Sequence, residues 1–273
     1  MKHLVLGSAG QIGRHLVSVL KQNGEEVIEY DIELDQNQDL RFYFNPGLDD
    51  AMESCDIVHF LAFDVGGAKY LEKYQNTYEF LMNNIQIMLN TFEYLQTYNK
   101  PFIFSSSQMG YVSDSTYGRL KMMGEDITRS LGGLYVKFWN VYGNEEVGEK
   151  SHVITDFIKM AKEGKIKART DGTEHRQFLY ADDCAECMLE LAKQYHDINR
   201  NEPLHITSFK WHTIKDIAKA IQDISGCEVE FAERKDQTQK DNKVEPNPYI
   251  LNFWAPKTTL EEGIKKLYNY EHV

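Results

Sequence analysis

A short apolar run, His3-Leu4-Val5-Leu6, meets a glycine-spaced turn, Gly7-Ser8-Ala9-Gly10-Gln11-Ile12-Gly13, and no other stretch of this chain limits its fold as tightly. Beyond the turn, Ile12, Leu16, Val19 and Leu20 recur at helical spacing, so the segment reads as strand, tight turn and helix. Glycines let such a backbone approach a diphosphate closely, while the helix N-terminus offers free N–H groups and the positive end of its dipole. The spacing Gly-x-x-Gly-x-x-Gly is a variant of the dinucleotide fingerprint. Gly7, Gly10, Gln11, Ile12 and Gly13 are therefore candidate cofactor contacts. A second strand, Glu26-Val27-Ile28-Glu29-Tyr30, ends at Asp31, where dinucleotide folds place an acid on the adenosine ribose. A carboxylate there accepts from the ribose hydroxyls and repels a 2′-phosphate, which predicts NAD rather than NADP. Asp39-Leu40-Arg41 follows the expected end of a further strand, with Asp39 in reach of the adenine amino group and Leu40 a further cofactor contact.

Further along, Tyr117-Gly118-Arg119-Leu120-Lys121 places a phenol and an ammonium four residues apart, on one face of a helix. An ammonium so placed can lower the phenol from its reference pKa of about 10 and make it a usable proton shuttle. Ser105-Ser106-Ser107 closes the apolar strand Phe102-Ile103-Phe104. Strand and helix signals alternate over the first two-thirds of the chain, which argues for a parallel sheet with helices on both faces. The expected fold is α/β, a Rossmann-type doubly wound parallel sheet with a smaller mixed α/β C-terminal part. Tyr78, Leu81, Met82, Ile85, Met88, Leu89, Phe92 and Leu95 trace a broad apolar face on one long helix, part of it directed at the sheet.

These residues resemble the extended short-chain dehydrogenase/reductases that act on nucleotide sugars, over nearly the whole chain. Ile57-Val58-His59-Phe60-Leu61-Ala62 resembles the family's fourth strand, Asn83-Asn84 its active-site asparagine motif and Phe102 to Ser107 its serine strand. Val136-Lys137-Phe138-Trp139-Asn140-Val141-Tyr142-Gly143 is similar to the segment whose asparagine binds the sugar-nucleotide diphosphate. Arg176 to Asp183 resembles the later arginine motif, and Trp254 to Gly263 the C-terminal signature. Asp64-Val65-Gly66-Gly67 and Ser151-His152-Val153-Ile154 resemble the branch of GDP-fucose synthase and GDP-mannose 3,5-epimerase.

The resemblance implies Ser107, Tyr117 and Lys121 as the redox centre and His152 as a candidate acid or base. It implies Leu61, Ala62 and Asn84 as further cofactor contacts, and Val65, Gly66, Gln108, Asn140 and Arg176 on the substrate. It also implies residues 1–143, with about 176–206, as the NAD-binding domain, and 144–175 with 207–273 as the nucleotide-sugar domain. A homodimer through the apolar helix and the helix of Tyr117 is implied as well. Departures matter too: Gln108-Met109 stands where the 4,6-dehydratases carry Asp-Glu and where the epimerising branch has its cysteine. An amide and a thioether lack a usable pKa, so proton exchange at carbon is not expected from them. What is shared is hydride transfer at a sugar carbon, carbon 4 by preference. An NAD-dependent nucleotide-sugar epimerase is the first reading, a nucleotide-sugar ketoreductase or dehydrogenase the second, and a non-catalytic dinucleotide sensor the third.

Composition agrees. The 273 residues carry 42 Asp+Glu against 30 Lys+Arg, a net charge of −12, which disfavours nucleic acid and anionic membranes as partners. Met1 leads straight into a strand, so a cytoplasmic location without a secretory leader is expected. Cys55, Cys184, Cys187 and Cys227 are too scattered for a disulfide scaffold. Cys184-x-x-Cys187 lacks a second ligand pair and reads as helix packing, so no metal is expected. A helix from Thr213 to Ser225 and a strand from Glu228 to Ala232 are expected, then a polar surface loop from Arg234 to Pro248.

Overall fold

The computed structural model describes residues 1–239 and 243–270, so the middle of the expected 234–248 loop lies outside the described residues. In chain order the elements are β1 (Lys2–Leu6), α1 (Gln11–Gln22), β2 (Glu26–Tyr30), α2 (Pro46–Ser54), β3 (Ile57–Phe60), α3 (Ala68–Tyr74) and α4 (Tyr78–Tyr98). Then follow β4 (Phe102–Ser107), α5 (Thr116–Ser130), β5 (Leu134–Phe138), β6 (Asn140–Tyr142), α6 (Val153–Lys162), β7 (Lys165–Ala168) and β8 (His175–Tyr180). The chain continues through α7 (Ala181–Lys193), β9 (Leu204–Ile206), β10 (Trp211–Thr213), α8 (Ile214–Ser225), β11 (Glu228–Phe231) and α9 (Leu260–Tyr268).

Six strands form one sheet in the order β2-β1-β3-β4-β5-β9, every pair parallel. Parallel strands need covered faces, and both are covered. On one side α1 and α7 pack Leu16, Leu20, Cys184, Cys187 and Met188 against Val5, Ile57, Ile103 and Val136. The two cysteines are thus core packing. On the other side Met52, Met88, Phe92, Leu95 and Leu120 meet Leu4, Leu6, Phe60 and Phe104. A third cluster lies beyond the sheet's C-terminal end, where Ile154, Phe157 and Ile158 meet Phe178, Ile214, Ile217, Ile221 and Ile264. There β8 joins β6 and β10 in a three-stranded sheet, while β7 and β11 form a parallel pair. Capping boxes Thr213/Asp216 and Thr259/Glu262 start α8 and α9.

Order β2-β1-β3 means the chain leaves β1 in opposite directions, and the crevice outside such a switch point is where these folds place ligands. One expectation fails on the way there: no further strand lies between β2 and Asp39. Asp35 accepts from the Asn37 N–H at 2.9 Å and caps a 3-10 turn, Gln36–Gln38, within a polar run that could not alternate as a half-buried strand. The strand at Ile57 is consequently the third of this chain and not the fourth. Among the described residues, no helix is long and apolar enough to cross a membrane.

Candidate active site

A cleft of about 1050 Å³ opens over the C-terminal ends of β1, β3, β4 and β5. Its floor is the glycine turn. Gly7 has φ +87°, and a Cβ on it would lie 2.6 Å from the Ala62 nitrogen; one on Gly13 would lie 2.0 Å from the Gly7 carbonyl oxygen. Only glycine lets α1 start this close to β1 and β3. Gly10 caps α1 without a side chain, so its first-turn N–H groups face the cleft unscreened by a capping oxygen. Asp31 Oδ2 accepts from the Ala9 N–H at 2.9 Å, which ties the acid at the end of β2 to the turn.

The redox candidates converge on the opposite wall. Tyr117 and Ser107 line the same part of the cleft, where Ser107 acts to lower the phenol, and Ser107 Oγ accepts from the Met109 N–H at 3.1 Å. Ser115 caps α5 by accepting from the Gly118 N–H at 2.9 Å, which sets the first turn that carries Tyr117. Lys121 Nζ donates to the Ser105 carbonyl at 2.7 Å and stands 3.7 Å from the centre of the Phe63 ring. Burial raises the Tyr117 phenol to about 12, against a lowering by Ser107, and burial drives the Lys121 ammonium well below its usual value. The expected lowering of Tyr117 by Lys121 is thus absent here. The ammonium points at the Ser105 carbonyl and an aromatic face, and burial governs both groups.

The expected cofactor contacts divide. Gly7, Gly10, Gln11, Ile12, Gly13, Asp31, Leu40, Leu61, Ala62 and Lys121 line the cleft. Asp39 lines it too, but its carboxylate is taken by the Arg41 guanidinium through contacts of 2.7 to 3.1 Å. Asn84 does not line it. Its amide accepts from the Asp64 N–H at 2.7 Å and donates to the Asp64 and Phe80 carbonyls, so it fixes the loop after β3. On the substrate side Val65, Gly66, Gln108, Asn140 and His152 line the cleft. Asn140 and His152 also line an adjoining pocket of about 130 Å³, which contains Arg176. The Arg176 guanidinium is held by Asp236 at 2.7 Å. Met109 is buried in the core.

Several site residues were given no individual role by the sequence. Phe63 supports Lys121; Asp64 gathers Tyr70, Asn83 and Lys150 at 2.7, 3.0 and 2.8 Å; Glu145 holds His152. The loops meet at Gly67, where a Cβ would lie 2.4 Å from the Ser151 carbonyl oxygen.

The residues fit a dinucleotide: an open helix start, an acid at the end of β2, a buried Gln11 Nε2 with no hydrogen-bond partner among the described residues, and a buried lysine at the far end. Fold and site define a dinucleotide-fold protein with a Ser-Tyr-Lys centre. Residues 3–207 match the profile of the NAD dependent epimerase/dehydratase family, and the chain belongs to that family. Relatives include a GDP-L-fucose synthase of Sinorhizobium fredii, 29% identical over 139 residues, 47% of this chain and 43% of the relative. A UDP-glucose 4-epimerase of Lacticaseibacillus casei is 25% identical over 275 aligned positions, 82% of each chain. The same fold is seen in the UDP-glucose 4-epimerase of Thermus thermophilus in complex with NAD (TM-score 0.78, 22% identity, 98% of each chain). It is seen again in the UDP-glucuronic acid 4-epimerase of Bacillus cereus (TM-score 0.81, 23% identity, 99% of this chain and 98% of the other). Relatives from both the GDP-sugar and UDP-sugar groups stand at comparable distance, so no branch is singled out.

Proposed function

We propose that the protein is an NAD-dependent nucleotide-sugar epimerase acting by hydride transfer at a sugar carbon, carbon 4 by preference. The observation that carries this reading is the convergence of Ser107, Tyr117 and Lys121 on one cleft whose other end is the glycine turn and Asp31. Bound NAD would supply the hydride acceptor and donor. The glycine turn would hold its diphosphate, Asp31 its adenosine ribose and Lys121 its second ribose. Tyr117, a neutral phenol in this environment, is in the form that gives a proton to a ketone oxygen. Taking a hydroxyl proton requires the phenolate, which Ser107 favours and burial opposes.

Val65, Gly66, Gln108 and Asn140 from the cleft, with Arg176 from the adjoining pocket, would contact the sugar nucleotide. Residues 1–143 with about 176–206 would form the cofactor domain, and 144–175 with 207–273 the substrate domain. The exposed Tyr78 and Leu89 of α4 and Met122 and Met123 of α5 suit a helix-mediated homodimer, which sedimentation velocity tests. The functional test is mass spectrometry of the nucleotides that purify with the protein, followed by turnover of UDP- and GDP-sugars without added cofactor. An epimerase interconverts sugars while retaining its NAD. Stoichiometric consumption of added NADH would instead make it a ketoreductase, and absence of any turnover or bound NAD would sink the reading.

A further inference from the structure

The loop between β6 and α6 carries a pair of ionisable groups that the redox centre does not use. Glu145 is 7% exposed, and its carboxylate meets His152 twice: Oε1 accepts from the backbone N–H at 2.7 Å and Oε2 lies 2.8 Å from ring Nδ1. A carboxylate can only accept, so Nδ1 carries a proton and Nε2 is the nitrogen left to a ligand. His152 lines both the cleft and the adjoining pocket, and its side chain is 38% exposed. A ligand that spans the two must pass this ring.

Charges from each neighbouring element bear on it. Asp156 on α6 favours the protonated ring and Lys69 on α3 opposes it. These two are paired with each other at 2.8 Å, with Lys69 also donating to Ser151 Oγ at 3.0 Å, so their effects largely cancel. Lys150 in the same loop is drawn to Asp64 at 2.8 Å, and Glu146 lines the cleft. Glu145 remains as the near charge in direct contact. Burial pulls the imidazole down, the carboxylate more than reverses this, and the ring's pKa ends above its ordinary value. Burial likewise opposes the ionised Glu145, yet the charge of His152 holds that carboxyl below its usual range.

We propose that Glu145 is a positioning residue that keeps His152 a protonated, hydrogen-donating cation at the junction of the two pockets, where Nε2–H donates to an oxygen of the bound nucleotide sugar. The ligand's identity rests on the function proposed above; the charge state of the ring does not. A protonated imidazole has no lone pair with which to remove a proton from carbon, so the ring serves as donor and not as base. This agrees with Gln108-Met109 lacking a proton-exchanging group.

The test is a pH titration of the His152 ring by ¹⁵N NMR in the full chain, assigned with His152→Gln. The wild-type midpoint is expected above about 6.5, the ordinary histidine value. Glu145→Gln keeps an acceptor oxygen but loses the charge, and the midpoint should drop by about one unit, a roughly tenfold loss of cation at fixed pH. A merely structural clamp predicts the same midpoint in both proteins. That result, or a wild-type midpoint at or below the ordinary value, overturns the proposal, and the second outcome needs no variant to fold. UDP and GDP, added in turn, supply the ligand arm. Movement of the His152 Nε2 signal with a higher midpoint supports the contact; movement of other cleft signals without it overturns the contact. If no cleft signal responds, the nucleotide-sugar assignment fails while the titration still decides the role of Glu145.

Discussion

Tyr117 and Lys121 are 9% and 2% exposed, so each polar head has few partners besides those the cleft and a bound ligand supply. Tyr117→Phe keeps the ring that packs edge-on to Phe63 and removes only the hydroxyl. Turnover should fall by about 10²–10⁴-fold with melting temperature and NAD affinity nearly unchanged, because general acid–base catalysis typically contributes that much. Steady-state assay beside calorimetry checks both halves. Asp31 predicts a preference for NAD over NADP of about ten- to a hundredfold, the effect of accepting one charge-assisted hydrogen bond from a ribose or repelling its phosphate. Asp31→Ala should narrow that gap in calorimetric titrations. It should also weaken NAD binding itself, since the Ala9 N–H loses its acceptor. At this scale the meeting of Ser107, Tyr117 and Lys121 in one cleft was legible because they lie close together in the chain, at the end of β4 and the start of α5. Glu145 was not, since nothing in its residue type distinguishes it from Glu146.

Among the elements, the β1–α1 turn depends on close backbone approach. Gly13→Ala would drive a Cβ into the Gly7 carbonyl, and overpacking of this kind typically costs about 1–3 kcal/mol. Cofactor binding should be lost or greatly weakened and the urea midpoint lowered, both readable in one fluorescence titration. The stripe on α4 shows how periodicity informs and misleads. Met88, Phe92 and Leu95 turn to the sheet, whereas Tyr78 and Leu89 are 78% and 62% exposed. A stripe too broad for one contact records that a face is apolar, not what covers it. The missing strand before Asp39 has a different cause: local capping by Asp35 outcompeted pairing at the sheet edge.

For the whole molecule, buried histidines in the sheet contribute to its response to acid, His3 and His59 among them. His3 on β1 and His59 on β3 are fully buried, their rings stacked with Nδ1 and Nε2 at 2.9 Å. Burial lowers both, His59 to about 3. Below the ordinary histidine value the unfolded chain therefore binds protons that the folded chain refuses, so stability falls as pH falls. Between pH 7 and pH 5 the His59 share should be about 2 kcal/mol. Urea unfolding at the two pH values should show a smaller loss for His59→Gln than for the wild type; an equal loss would rule out His59 as the source.

From sequence alone came the strand–turn–helix opening, the alternation that builds a covered parallel sheet, and the nearness of Ser107, Tyr117 and Lys121 to one another. Each is encoded by residues close together in the chain, where backbone geometry makes spacing equivalent to position. Tertiary structure decided that Asn84 binds a loop and does not line the cleft, that Arg41 occupies Asp39, that Asp236 occupies Arg176 and that Glu145 meets His152. Those outcomes depend on which charges and amides meet once the chain is packed. A buried polar group must find some partner, and its sequence neighbourhood does not say which.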